Sequence, residues 1–299
     1  MPFKFVRNWG NEGITNVVET NLKHWMQDAF CRIGAYSRNQ TIELRRDQSG
    51  SIGQEYQWQS PVKNWAWQVR DPETGLVVRS PATIFVNDEP ESDVIIDYLR
   101  GVVTLNRVID PAEDKVTALF TANSVAVISS LEFPRRPMVG FDPTGQDSDN
   151  FIGVFDQIKA DYKIQPPFVY IRVYPTGSAR PVCLGTGLMW VEQRIQMSVM
   201  TETEAELNKL LGYFVTQSYW TVALFNSNLA STQQAMPLDE HGDLNRGTNA
   251  SLYDDLLKKF PVTSMYWDKW AVRKFNTNRQ DFFLGMAHVT PSVKSLPSL

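Results

Sequence analysis

Cysteine and histidine are scarce in this sequence, with 2 Cys and 3 His among 299 residues. Cys31 and Cys183 show no CxxC spacing, which leaves a disulfide framework or a cysteine zinc site without support, and reduced, buried thiols are the expectation. No stretch approaches the ~18 consecutive apolar residues of a membrane span. The opening "MPFKFVRNWGNEG" lacks the apolar run of a signal peptide, so a cytoplasmic chain without membrane contact is expected. In such a chain the Asn-x-Ser/Thr matches at Asn39 and Asn249 carry no glycan. A long basic run is missing too. With 29 Lys+Arg against 33 Asp+Glu the formal charge is -4, which disfavours a nucleic-acid binder that works by counterion release. No GxSxG, HExxH, P-loop or kinase motif occurs. Gly185-Thr186-Gly187 is only a fragment of a dinucleotide fingerprint, and it leads into a strand rather than a phosphate-receiving helix.

What is present is core-building material. The hydrophobic fraction of 42% is that of a globular chain, and 9 Trp is many for this length, which points to contact surfaces as well as core. Between Gly13 and Gly34 the apolar residues Ile14, Val17, Val18, Leu22, Trp25, Met26, Ala29, Phe30 and Ile33 recur at helical spacing, so a helix is predicted over 14–33. From about 41 to 131 the texture changes to short extended runs between Pro, Gly, Asn and Asp. Ala82–Asn87, Val94–Tyr98, Val102–Leu105 and Val116–Ala122 read as strands, with turns at Asn87-Asp88, Arg100-Gly101 and Asp110-Pro111, the pattern of an antiparallel meander or sandwich. The Pro/Gly/Asp-rich segment 132–153 reads as a linker.

Beyond it, Val169, Ile171 and Val173 alternate with Phe168, Tyr170 and Tyr174, a strand with both faces covered. Val191, Ile195, Met197 and Val199 then give one face of a half-buried strand. The period switches at once to Leu207, Leu210, Leu211, Phe214 and Val215, a helix stripe, and Thr203 with Glu206 forms a capping box at its start. A short buried strand at 219–228, a polar loop and two closing strands complete the chain. The predicted fold is α+β: a mixed sheet with packed helices, carrying an inserted antiparallel β domain. Its parts are 1–40, a helix packed on the main domain; 41–131, the insertion; 132–153, the linker; and 154–299, the α+β domain.

Candidate chemistry is thin. His24 falls on the polar side of the first helix and is expected to be solvated; His288 sits on a strand with no nucleophile nearby. Asp142, Asp147 and Asp149 lack the spacing of a calcium loop. Neither a catalytic residue, nor a metal ligand, nor a cofactor site is predicted. Two candidate interfaces stand out. Trp58, Trp65 and Trp67, in a Pro-interrupted stretch, read equally as cover over the β core or as anchors for a neighbour. The loop Leu238–Thr248, with Leu238, Asp239, Glu240, His241, Asp243 and Arg246, is long for a connection inside a domain and reads as an exposed arm.

Four segments in order, "LKHWMQDAFCRIGAYS", "IFVNDEPESDVIIDYLRGVVTLNRVIDPAEDKVTALFT", "RIQMSVMTETEAELNKLLGYFVTQSYWTVALFNSN" and "WAVRKFNTNRQDFFLGMAHVTPSV", resemble neck or tail-terminator (tail-completion) proteins of tailed bacteriophages. The β segment also resembles phage surface and adaptor modules. The resemblance implies a tail-terminator-like fold and a structural virion protein, not an enzyme and without cofactor. Such a protein is assembled in the host cytoplasm into a sixfold homo-oligomeric ring at the neck. Implied partners are the tail tube protein, head-tail connector or adaptor proteins, and the sheath protein, with DNA passing through the lumen without specific binding. The alternative is a phage adaptor or baseplate component, or a carbohydrate- or receptor-binding module.

Overall fold

The computed structural model describes residues 14–46, 57–107, 109–110, 113–132, 165–181, 189–239, 242–267, 269–275 and 283–295. Cys183, Glu240, His241 and the predicted linker from 133 onward lie outside them. The protein is α+β, with helices packed on a mixed sheet and a β domain attached.

Helix α1 runs Ile14–Arg32. Gly34 ends it at φ 74°: the Gly34 amide donates to the Cys31 carbonyl and the Ala35 amide to that of Phe30, a Schellman closure that favours glycine at the left-handed position. The predicted stripe Val17, Val18, Leu22, Met26 and Phe30 is buried, while Ile33 is exposed beyond the helix end.

The β domain follows. Strands β1 (Tyr36–Glu43), β4 (Trp65–Ala66), β7 (Thr83–Val86), β8 (Glu89–Glu91) and β11 (Val116–Asn123) form one sheet. A second holds β2 (Arg45–Arg46), β3 (Gln57–Gln59), β9 (Val94–Asp97) and β10 (Val102–Leu105), and β5 (Gln68–Arg70) pairs with β6 (Val77–Arg79) beside them. The two larger sheets share one apolar core, so the sandwich reading holds. Asn87 and Asp88 both take positive φ, as the two-residue turn between β7 and β8 requires.

The predicted borders 41 and 131 shift. The β domain begins at β1 and ends with β11, whereas β12 (Ala126–Ser129) lies parallel to β13 (Phe168–Pro181) in the main sheet. Only a two-residue bend at Ser124 and Val125 separates β11 from β12, and the pairing partners on either side of it mark the boundary.

The eight-stranded main sheet is centred on β14 (Met189–Thr201). On one side lie β13 and β12. On the other, β14 forks: residues 195–201 pair with β18 (Phe283–Val289) and then β17 (Ala271–Phe275), while 189–192 pair with β19 (Ser292–Ser295), followed by β16 (Pro261–Trp267) and β15 (Trp220–Phe225). Among the described residues only β12 and β13 run parallel. Strand β14 is not half-buried as predicted. Gln196, Ser198 and Met200 on its second face are as buried as Ile195, Met197 and Val199.

Helix α2 (Glu204–Thr216) covers β14 and β18. Thr203 caps it by accepting from the Glu206 amide at 3.2 Å, but the box closes through the Thr203 hydroxyl donating to the Glu206 carboxylate at 3.0 Å. Leu207, Leu210, Leu211 and Phe214 are buried. Val215 is exposed, because at 100° per residue it lies roughly 90° from the centre of that stripe. Gly285 on β18 is what allows the close approach: a Cβ there would stand 2.8 Å from Leu207 Cδ1 and 3.0 Å from Leu211 Cδ1. Gly285→Ala is expected to cost about 1–3 kcal/mol through overpacking, measurable by chemical unfolding. Two short helices, α3 (Ser227–Thr232) and α4 (Tyr253–Lys259), pack with Phe225 in a small separate cluster.

Candidate functional site

The three tryptophans offered as interface anchors are core residues. Trp58, Trp65 and Trp67 are each at most 4% exposed. Trp65 stacks on Phe120 with ring centroids 4.1 Å apart, and its Nε1 donates to the Val62 carbonyl. Trp58 is the inward residue of Gln57–Gln59, while Trp65 and Trp67 flank the buried Ala66, so the stretch from Trp65 to Val69 is enclosed along its length. They hold the β domain together and present no free face to a neighbour.

The loop 238–248 is likewise not an arm. Leu238 and Leu244 bridge to each other, and the Asp239 amide donates to the Asp243 carbonyl, so the two described sides of the loop are held together. Leu244 joins the β-domain core. The Tyr98 amide donates to the Gly242 carbonyl, Arg79 donates to that of Asn245, and Arg246 donates to those of Ser92 and Val94. Asp243 is buried, with its carboxyl held above the usual range by desolvation. The segment straps the β domain to the main domain. Replacing it by a short Gly/Ser link is therefore expected to lower the unfolding midpoint, since backbone acceptors and a core leucine are lost together. Arg246→Ala alone is expected to remove about 1–2 kcal/mol from its two charge-assisted hydrogen bonds, which are partly exposed.

Sequence periodicity missed the polar residues of α1. Glu19, Asn21, His24 and Asp28 are all buried, so the helix face expected to meet water is covered as well. The helix lies between the main sheet, the strands β5 and β6, and the short helices α3 and α4. The Glu19 carboxylate accepts from the Ser129 and Ser130 hydroxyls at 2.8 and 2.6 Å, the Leu131 amide at 3.2 Å and the Val173 amide at 3.0 Å. Asn21 accepts from the Phe225 amide and donates to the Phe225 carbonyl, fastening the end of β15 to the helix. Asp28 pairs with Arg32 at 2.6 Å, yet burial holds its carboxyl above the usual range. His24 lies against the Phe225 ring, and desolvation, helped by Lys23, pushes its imidazole from 6.5 down to about 3. It is a neutral, enclosed histidine and not the solvated one expected. His288 on β18 is shifted in the same direction by burial and Arg194.

Between α1, the β domain and the strap lies a cleft of about 500 Å³. Thr20, His24 and Gln27 line it from the helix, Asn64, Trp67 and Gln68 from the β domain, and Asp239 and Gly242 from the strap. Among the described residues no group of three His, Cys, Asp or Glu could hold a metal ion.

The forked main sheet leaves several edges bare among the described residues: β17 pairs only with β18, and two further edges lie at the ends of the longer path. Strand β15 pairs only with β16, and the exposed Tyr219, Trp220 and Tyr266 stand at that end. At the other end β12 pairs only with residues 168–171, so the outer edge of β13 from 175 to 181 has no partner strand. No protein-family model matches the chain, and no curated protein matches it either.

Proposed function

We propose that this chain is a structural virion protein of a tailed bacteriophage, forming a ring at the neck that ends the tail tube and joins it to the head connector. In this reading the main domain is the tail-terminator-like unit and the β domain is an insertion carried on it. The observation that supports it most is that, among the described residues, β15 and the 175–181 stretch of β13 leave bare edges at opposite ends of one sheet. Two different edges that meet between copies make a head-to-tail contact, and such contacts close into rings when the rotation allows. The aromatic residues at the β15 end supply an apolar anchor beside the edge backbone. The work is then done by contact area, with neither turnover nor cofactor; the partners are the tail tube protein, connector or adaptor proteins, and sheath.

Light scattering and electron-microscope images of the purified protein test this. A ring of several copies, sixfold on this reading, is expected. Trp220→Lys should dissolve it while leaving the protomer's unfolding midpoint in place, because an exposed edge charge blocks pairing without touching the core. A protein that stays monomeric at every concentration, alone and with tail tubes, overturns the reading.

A further inference from the structure

The cleft between the domains contains groups that the fold itself leaves unsatisfied. The side-chain oxygens of Gln27, Asn64 and Gln68 are buried without a hydrogen-bond partner, and all three residues line the cleft. Asn64 and Gln68 are at least 94% buried by residue. An unsatisfied buried acceptor is costly to keep, and native proteins hold few of them. Three residues lining one cavity of about 500 Å³, within the usual range of small-molecule pockets, thus each keep an unpaired oxygen in its wall, which a donor bound in the cavity would relieve once the amide turns toward it.

We propose that this cleft binds a neutral, hydroxyl-rich small molecule of sugar size. The charge of the wall argues for neutrality: Lys23 and Arg100 are balanced by Asp97 and Asp239, and His24 is uncharged near neutral pH. A cation or an anion would find no net opposite charge there. The unpaired groups are acceptors, so the ligand must donate, and hydroxyls do so without carrying charge. Amide ends turn about soft terminal torsions, which lets each carbonyl swing from the wall toward a hydroxyl. The less buried apolar residues of the wall, Val125, Leu131, Met236 and Leu238, suit the C–H faces of a ring. Because α1, the β domain and the strap all contribute, an occupant would tie the two domains together and stabilise the fold by linkage.

The test uses the full chain with glucose, galactose, N-acetylglucosamine and myo-inositol as probes, and putrescine, guanidinium and inorganic phosphate as charged controls. Saturation-transfer NMR and the thermal midpoint are read for each. At least one hydroxyl-rich probe is expected to saturate and to raise the midpoint. Gln27→Leu and Gln68→Leu should each weaken that binding tenfold or more. Neither should lower the ligand-free midpoint, because each removes an unpaired buried oxygen. Leu131→Trp, at a half-exposed position of the wall, should block entry without entering the core and so covers the case of a variant that fails to fold. Saturation by none of the hydroxyl-rich probes, preference for a charged control, or binding that survives all three variants overturns the proposal and leaves the cleft a water pocket. Ring formation is read separately by size, so either reading can fail without the other.

Discussion

Glu19→Ala is expected to destabilise the protein by about 3–5 kcal/mol, the scale for losing several hydrogen bonds to a charged acceptor and leaving buried donors unpaired. Strand β12 pairs with β13 only as far as Ile171, and the next inward amide, Val173, would be bare. The Glu19 carboxylate takes that amide and, with its other oxygen, the Ser129 and Ser130 hydroxyls and the Leu131 amide. One side chain thus finishes the sheet where a strand runs out and fixes the turn that leaves it. Alanine would leave the buried Val173 amide and Ser129 hydroxyl without this acceptor, while the part-buried Ser130 and Leu131 donors lose it nearer to solvent. Glu19→Gln should recover part of the loss, since its oxygen can still accept while its NH₂ would face donors. Urea unfolding of the three proteins at pH 7 measures the series; a Glu19→Ala loss below about 1 kcal/mol would show that water replaces the carboxylate.

The second large effect is a dependence on acid. His24 is neutral in the folded protein because its imidazole is pushed from 6.5 to about 3, whereas in the unfolded chain it titrates normally. Between those values the unfolded state binds the extra proton. Stability is therefore complete above pH 6.5 and falls as pH drops toward 3, by up to about 1.4 kcal/mol for each pH unit. Asp28 and Asp243, whose carboxyls burial holds above the usual range, act in the opposite sense, so the variant isolates the histidine. His24→Leu should flatten the acid limb between pH 6 and pH 4 while changing stability at pH 7 far less. Equal slopes in the two proteins over that window would refute the assignment.

The two helices show how far pattern alone reaches. Stripes at spacings of three and four located α1 and α2, and Thr203 with Glu206 located the start of α2 almost to the residue. Alternation located β7, β9, β10, β11, β13 and β14, and the Asn87-Asp88 pair placed a turn because few residues tolerate two successive positive φ values. These features are local, since the residues that specify them lie within one turn or one strand.

The cleft was not legible. Its acceptors come from Gln27, Asn64 and Gln68, up to 41 positions apart in the chain, and none belongs to a motif. The strap was misread for a related reason. A polar composition predicts solvent, but Arg246 donates to backbone carbonyls of the β domain and the Asn245 amide to those of Gln234 and Met236. The tryptophans show the converse, because surface anchor and core filler have the same composition and only burial separates them.

The α+β class, the helix stripes, most strands and the separate β texture follow from the order of residues alone, because hydrophobic period is a property of neighbouring residues. Only the tertiary structure decided that β12 leaves the β domain for the main sheet, that α1 is enclosed on its polar side as well, and which edges and cleft remain open. Those outcomes depend on what each face meets after the chain has folded. A buried glutamate with four donors and a solvated one are the same letter until the strand that supplies the donors has been placed beside it.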